Sequence, residues 1–212
     1  MKSSPLHGVV LLASLFLLSA CGSLLPSPPP TPTFYALGNT TTHTLPDQAV
    51  RAVGPTLLVN VMRAAPGFDS AHIVYTRSPQ QLEHFARSEW ADTPARMLAP
   101  WLVQVLSSEL TRSASVGAVL LAPSSAATDF TLDSALIRLQ QDFSAQPSRV
   151  RLTLRVVLLQ TTTRRVLAVR EFDASEATET DDPRGGVRAA QAVSARLLKE
   201  VADFCKVTLQ SG

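Results

Sequence analysis

The sequence has few cysteines. Only Cys21 and Cys205 occur among its 212 residues. Two cysteines form at most one disulfide and cannot build an all-cysteine metal site. Disulfide-rich scaffolds and zinc ribbons are therefore excluded.

The chain also carries little net charge. Its 19 basic and 17 acidic residues leave a formal charge of +2. Because a nucleic-acid-binding domain usually has a clustered basic excess, no nucleic-acid partner is expected. With 45% apolar and 17% charged residues, the composition is that of a globular protein rather than a disordered chain.

Motifs of known catalytic chemistry are missing as well. The sequence contains no G-x-S-x-G, S-x-x-K or G-x-x-x-x-G-K-[ST] motif. His43, His72 and His84 follow the first twenty residues, and none has the spacing of a metal-ligand motif. We therefore expect no metal, no cofactor and no enzymatic activity.

One acid-rich stretch surrounds His84. Glu83, Glu89 and Asp92 lie close to it in the sequence. A carboxylate and an imidazole could meet there, as a membrane-tethered hydrolase would require. A salt bridge is the simpler interpretation.

The N-terminus predicts a secretory signal peptide over residues 1–20. Lys2 provides a short basic region. The apolar run from Val9 to Leu18 is shorter than the roughly 20 residues that a helix needs to cross a bilayer. A short apolar run behind a basic start is typical of a secretory signal.

The four residues Leu18, Ser19, Ala20 and Cys21 resemble the bacterial lipobox. The resemblance implies cleavage after Ala20, and a diacylglycerol and an N-acyl chain such as palmitate on Cys21. Two or more acyl chains anchor a protein stably, whereas one does so only marginally. Once the signal has been removed, 18 basic residues face 17 acidic ones, so membrane association is expected to depend on the acyl chains.

A proline-rich stretch follows the lipobox. Five prolines fall between positions 26 and 32. Such a run favours an extended polyproline II spacer, which at about 3.1 Å per residue can hold a domain roughly 30 Å from a membrane. We interpret residues 21–33 as the lipidated cysteine and its tether. Gly22 stands where an Asp commonly retains enterobacterial lipoproteins in the inner membrane, so the resemblance implies the outer membrane.

Residues 34–212 predict one α/β domain. Its sheet is expected to be mixed and largely antiparallel, with a C-terminal three-strand meander, and to be covered by two main amphipathic helices. A helix should begin at Thr93 as the cap with Pro94 in its first turn. Because Pro100 disfavours a helix interior, the helix either kinks there or becomes regular only at Ala99. The predicted strands are Phe34–Leu37, Thr56–Val61, a hairpin of Ile73–Arg77 and Leu82–Trp90, and Val116–Leu121; the meander is Asp129–Phe143, Arg149–Gln160 and Arg165–Ala174; the helices end at Arg112 and run over Val187–Thr208.

Three features of this second half have competing interpretations. Alternation in the middle meander strand places Arg149, Arg151, Thr153 and Arg155 opposite the core, as a phosphate-binding patch or, more simply, as a solvated sheet face. Gly185 and Gly186 indicate a turn that begins the last helix, where an anion could also bind. Cys205 falls on the apolar stripe of that helix, where a free cysteine behaves as a small hydrophobic residue.

The order of these elements resembles the ABC-type transport auxiliary lipoproteins, the paraquat-inducible protein C-like accessories of MCE lipid-transport systems. The resemblance rests on the lipobox, the tether, the aromatic strand Phe34–Leu37, the strand containing Ile73, Val74 and Tyr75, and the run Phe85–Trp90 before Thr93 and Pro94. It implies an α/β domain without catalytic residues, working at the outer membrane beside a periplasmic MCE tunnel protein, a permease and an ATPase. Family members often have a tyrosine at the place of Phe34, a change that keeps the aromatic ring.

The expected function is therefore docking in intermembrane lipid transport, which maintains membrane integrity. The anchor at Cys21 would fix the domain to the membrane, and an exposed face would bind the end of the tunnel. A homo-oligomeric ring around the tunnel exit fits this scheme. The alternatives are an envelope-assembly accessory that supports an outer-membrane protein and, less favoured, the tethered hydrolase.

Overall fold

The computed structural model describes residues 31–38 and 54–211. The predicted signal peptide, Cys21, most of the tether and His43 lie outside these residues. In the described part, no helix is both long and apolar enough to pass through a membrane.

The described residues form nine strands and two helices in one sheet with a helical layer. The strands are β1 (Thr33–Tyr35), β2 (Thr56–Val59), β3 (Arg63–Ala64), β4 (His72–Ser78), β5 (Gln81–Trp90), β6 (Ala118–Leu121), β7 (Phe130–Asp142), β8 (Arg149–Gln160) and β9 (Val166–Ala177), and the helices are α1 (Pro94–Arg112) and α2 (Pro183–Ser211).

The sheet is arranged around β7. One edge of β7 pairs with β8 in a long antiparallel ladder, and β8 pairs in the same way with β9. Along the other edge of β7, the short strands β2, β3 and β4 follow one another, each parallel to it. Beyond β2 lies β6, and beyond β4 lie β5 and β1. The predicted mixed sheet, hairpin and meander are confirmed.

The core lies between this sheet and the two helices. Strand β8 sends every second side chain into it, as its strict alternation predicts. The helices contribute apolar side chains at spacings of three and four, which places them on one face of each helix. The buried side chains are Val150, Leu152, Leu154, Val156 and Leu158 of β8, Leu98, Leu102, Leu106 and Leu110 of α1, and Val193, Leu197, Leu198, Val201 and Cys205 of α2.

Several predicted strand ends are wrong. Strand β2 stops at Val59, and Val61 is 58% exposed. Strand β1 ends at Tyr35, and the backbone amide of Leu37 instead donates to the sulfur of Met97 at 3.3 Å. The sixth strand begins at Ala118, two residues later than predicted. Apolar character alone therefore does not set where pairing with a neighbouring strand ends.

Helix α1 begins as predicted but without the expected cap bond. Thr93 occupies the N-cap position, yet its side chain makes no cap hydrogen bond; its own amide donates to Oδ1 of Asp92 at 2.7 Å. The helix runs unbroken through Pro100, so a regular start at Ala99 is wrong. Pro100 lies on the exposed side of the helix, where water can reach the carbonyl that it leaves unpaired.

Candidate functional site

The face of the sheet opposite the helices carries the polar side chains of the meander. We call it the outer face; in β8 it comprises residues 149, 151, 153, 155, 157 and 159, together with their registered neighbours in β7 and β9. This face divides into a charged half and a half in which apolar and polar side chains alternate.

The charged half is an array of ion pairs. Arg151 and Asp173 meet in a double contact, with Nη2–Oδ2 at 2.5 Å and Nε–Oδ1 at 3.1 Å. Arg155 and Glu171 approach to 3.8 Å. Hydrogen bonding from Arg151 lowers the pKa of Asp173 below its usual range. Because two of the predicted arginines already have carboxylate partners, the solvated sheet face is favoured over a phosphate-binding patch.

Thr153 departs from the predicted wet face. It is only 1% exposed, although its neighbours Arg151 and Arg155 are exposed. Its hydroxyl donates to Oδ1 of Asp173 at 3.0 Å, which accounts for a buried polar group at this position. The expectation that Thr153 is exposed is wrong because the ion pair above it shields it from water.

The other half of the outer face contains an open cleft of about 470 Å³. Asn60 donates from Nδ2 to Oδ1 of Asp133 at 2.6 Å, and the hydroxyls of Thr131 and Thr161 share a hydrogen bond of 2.8 Å. The side chains lining the cleft come from β2, β7, β8 and the turn between β8 and β9; they are Leu58, Asn60, Thr131, Asp133, Leu159, Gln160, Thr161 and Arg164.

Arg164 is the unusual residue of this cleft. It is exposed and has a φ of 54°, in the left-handed region that Gly and Asn adopt most readily. Among residues 31–38 and 54–211, its guanidinium has neither a hydrogen-bond nor an ion-pair partner. The sequence does not predict this site, because its residues are spread over about a hundred positions. The signal available in the sequence was an arginine at the end of a Thr-Thr-Thr hairpin turn.

The predicted pairing at His84 takes a different form. The rings of His72 and His84 stack with their centroids 4.4 Å apart, and it is His72 whose Nδ1 approaches Glu89, at 4.0 Å. Glu83 accepts hydrogen bonds from the Tyr75 hydroxyl at 2.8 Å and from Arg77 at 3.0 Å.

Asp92, the third acid near His84, pairs with Arg96 at 3.2 Å. No group of three metal-ligating side chains occurs in the described ranges. The imidazole–carboxylate contact is therefore present at a different histidine, as a 4.0 Å approach between two partly exposed side chains.

The carboxylate of Asp182 occupies the N-terminal end of α2. Oδ1 of Asp182 accepts the amide of Gly185 at 2.7 Å, and this bond lowers the pKa of Asp182. The predicted turn glycines lie inside the first helical turn, where Gly185 packs against Thr180 and Gly186 against Gln141. An external anion at this helix end would have to displace a capping side chain.

Cys205 behaves as predicted from the helix stripe. Its side chain is fully buried and forms no disulfide. Burial raises the pKa of its thiol to about 12, so at neutral pH the group is an inert hydrophobic side chain.

Comparison with known proteins matches one family model and finds solved structures of the same fold. The family model described as "ABC-type transport auxiliary lipoprotein component" matches residues 35–202. A protein from Xanthomonas campestris assigned to the DUF330 family is 22% identical, with a TM-score of 0.67 over 85% of this chain and 95% of its own. A second crystal structure, of an uncharacterized protein, is 18% identical, with a TM-score of 0.64 over 83% of this chain and 99% of its own. A search of curated protein sequences returned no match.

Proposed function

The chain belongs to the family of ABC-type transport auxiliary lipoprotein components, and we propose that it serves its transport system as an outer-membrane anchor for a periplasmic MCE tunnel. In this role the domain makes no covalent change to a substrate. It binds the end of the tunnel and holds it at the membrane in which the acyl chains of Cys21 are inserted.

The observation that carries this proposal is the position of the family match. It begins at Tyr35 within β1, two residues after the proposed tether of residues 21–33 ends. The folded domain is thus the part that the family shares, and the proposed anchor and spacer precede it. A tethered domain is confined near one membrane, and this confinement raises the effective concentration of any partner that reaches the same surface.

A role without catalysis fits the contacts around the histidines. Glu83 is engaged with Tyr75 and Arg77, Asp92 pairs with Arg96, and Glu89 approaches the ring of His72 at 4.0 Å. A general base needs a carboxylate or imidazole within hydrogen-bond reach of a substrate proton. These acids instead form surface pairs within the domain, which supports binding rather than chemistry.

Exposed apolar side chains offer contact points for a protein partner. Phe34 is 60% exposed on the edge strand β1, and Val207 is 66% exposed near the end of α2. Val169 is 56% exposed on the outer face. These three residues sample different surfaces of the domain and are suited to locate the docking face.

Photocrosslinking in living cells tests the proposal. A photoreactive amino acid is placed at Phe34, Val169 or Val207 of the full-length lipoprotein, with the buried Val193 as the negative control. We expect at least one exposed position, and not Val193, to crosslink to the MCE subunit. Crosslinks to an outer-membrane barrel protein alone would overturn the proposal in favour of the envelope-assembly function. A series without any crosslink to the MCE subunit would also contradict it.

A further inference from the structure

We infer that the cleft on the outer face binds a zwitterionic phospholipid, with its phosphate at Arg164 and its acyl chain along a row of apolar side chains. The inference rests on the strand register, the backbone of Arg164 and the charges in the cleft. It does not depend on the proposed MCE partner.

The strand register places an apolar row across the sheet. Leu58 lies between Leu120 and Thr131 in adjacent strands, Thr131 is opposite Leu159, and Leu159 is opposite Val166. Residues in register on neighbouring strands point to the same face of a sheet. Three leucines, a threonine and a valine thus form a continuous strip over five strands.

A second apolar pair widens this strip. Val157 is opposite Val169, on the side of the row next to Asp133. Val166 and Val169 are 51% and 56% exposed, so neither is covered by another part of the domain. Val166 and Val169 thus leave the β9 end of the half-buried strip open to a ligand or partner.

Arg164 stands at the end of the strip in a conformation that disfavours it. Its φ of 54° would cost Gly or Asn much less than Arg. Backbone strain of this kind is commonly retained where the side chain has a function. Without a partner in the described part of the chain, the guanidinium remains free to form a two-point contact with a phosphate group.

The other polar side chains of the cleft indicate which lipid headgroup it can bind. The hydroxyls of Thr131 and Thr161 share one hydrogen atom between them, which leaves the second available for an anionic oxygen. Asp133 has one oxygen occupied by Asn60, and its other oxygen can accept from an ammonium group. Arg164 and Asp133 both line the cleft, yet they do not form an ion pair with each other.

This combination favours a zwitterion over a simple anion. A purely anionic head would be attracted by Arg164 and repelled by Asp133. A phosphate joined to a primary amine, by contrast, satisfies both charges at once. A volume of about 470 Å³ is within the usual range for small-molecule sites.

The test uses the full-length lipoprotein in cells grown with 32P-orthophosphate. A photoreactive amino acid at Val169, which inserts into C–H bonds on illumination, captures any alkyl chain lying on the strip. Inorganic phosphate has no C–H bond, and the diacylglycerol expected on Cys21 contains no phosphorus. Radioactive label that remains on the denatured, delipidated protein and that phospholipase C then releases as a phosphorylated headgroup therefore reports a captured phospholipid molecule.

Two control positions separate a specific site from general contact with the membrane. Val207 is more exposed than Val169 but lies on α2, away from the outer face. Arg165 adjoins Arg164 and is also exposed, but does not line the cleft. We expect label at Val169 to exceed that at Val207 by at least tenfold. Arg164→Gln should reduce it about tenfold, and Arg165→Gln should leave it unchanged.

Two further variants separate binding from folding. Arg164→Gly and Arg164→Asn relieve the strained φ, so the melting temperature should rise by about 2 °C while the label is lost. Equal label at Val169 and Val207 would mean contact with a membrane surface and would overturn the inference. Absence of label at Val169, or label that persists in Arg164→Gln, would also overturn it. Crosslinking to the MCE subunit is a separate readout, so the two proposals can fail independently.

Discussion

Gly186 lies so close to Gln141 that a β-carbon at position 186 would be well inside van der Waals contact distance of the Gln141 side-chain oxygen. Gln141 is 2% exposed and donates from Nε2 to the hydroxyl of Ser148 at 2.8 Å. The first turn of α2 can therefore pack against β7 only because residue 186 has no side chain.

Gly186→Ala should lower the free energy of unfolding by about 1–3 kcal/mol, as is usual when a close-packed site is overfilled. Chemical denaturation of the purified protein measures the change. In the double variant with Gln141→Ala, the cost of Gly186→Ala should be smaller, because the obstructing atoms have been removed.

Gly185→Ala is the matched control for that rescue. A β-carbon at this position would meet the backbone carbonyl oxygen of Thr180, which no side-chain substitution removes. Its cost should therefore be the same with Gln141 or with Ala at position 141. Equal rescue of both glycine variants would show that the loss of Gln141 acts by loosening the whole region.

The two helix starts should respond differently to loss of their N-cap side chains. Asp182→Ala removes the bond to the amide of Gly185 and should cost about 1 kcal/mol, whereas Thr93→Ala removes no cap bond and should change stability by only a few tenths. Thermal or chemical unfolding at pH 7 measures both. Similar losses in the two variants would contradict this assignment of the caps.

In acid, the wild-type protein should no longer have a larger free energy of unfolding than the Asp182→Asn variant. The pKa of Asp182 is lowered in the folded protein, mainly by the amide of Gly185. A lowered pKa gives stability above the unfolded pKa that is lost as the pH falls through the folded one. The unfolding free energies of wild type and Asp182→Asn should therefore begin to converge as the pH falls below the ordinary Asp pKa of about 3.9. If the stability difference between the two proteins stays constant in acid, the carboxylate of Asp182 does not make the stabilising bond to the Gly185 amide.

Alkaline conditions should destabilise the fold through Cys205. Its thiol has a pKa of about 12 in the folded protein, against 9.0 for an exposed cysteine. Between these values the folded state keeps a proton that the unfolded chain releases, so stability decreases as the pH rises, by about 1.4 kcal/mol per pH unit.

The difference in unfolding free energy between wild type and Cys205→Ala isolates this effect from the titration of tyrosines and lysines. It should be nearly constant at pH values well below 9.0 and should change with the stated slope between about pH 9 and pH 12. A constant difference up to pH 11 would mean that the thiolate is accommodated in the fold.

Palmitate labelling in cells should distinguish the roles of the two cysteines. Cys21→Ser should abolish incorporation of labelled palmitate and move the protein out of the membrane fraction, while Cys205→Ala should leave both unchanged. Density-gradient separation of the two envelope membranes then measures where the lipidated protein resides; we expect the outer membrane. Label that survives in Cys21→Ser would refute the assignment of the anchor.

Local patterns predicted the parts of the fold whose partners are close in sequence. The alternation of β8 and the apolar stripe of α2 identified the core side chains correctly, because burial on one face imposes a period of two on a strand and 3.6 on a helix. The meander and the hairpin were also predicted, since their strands are consecutive. Thr153 broke the pattern because its burial depends on the ion pair between Arg151 and Asp173.

Features that depend on distant segments were not visible in the sequence. Strand β1 pairs with β5 and β2 with β6, each across tens of residues, and no local signal marks such parallel partners. The contact of His72 with Glu89 arises from the register of β4 on β5. The cleft around Arg164 requires three strands and a turn to be assembled before its residues become neighbours.

The pairing of β7 with β2, β3 and β4 also sets an order of folding. These strands end by Ser78, whereas β7 begins at Phe130, so contacts over more than fifty residues must close loops before they contribute stability. The meander and α2 are contiguous and can form first. Because a chain emerges from synthesis N-terminus first, β2, β3 and β4 lack their shared partner β7 until the C-terminal half has been made. A truncation after β6 would therefore remove β7, the strand around which the sheet is arranged, and should leave no folded product.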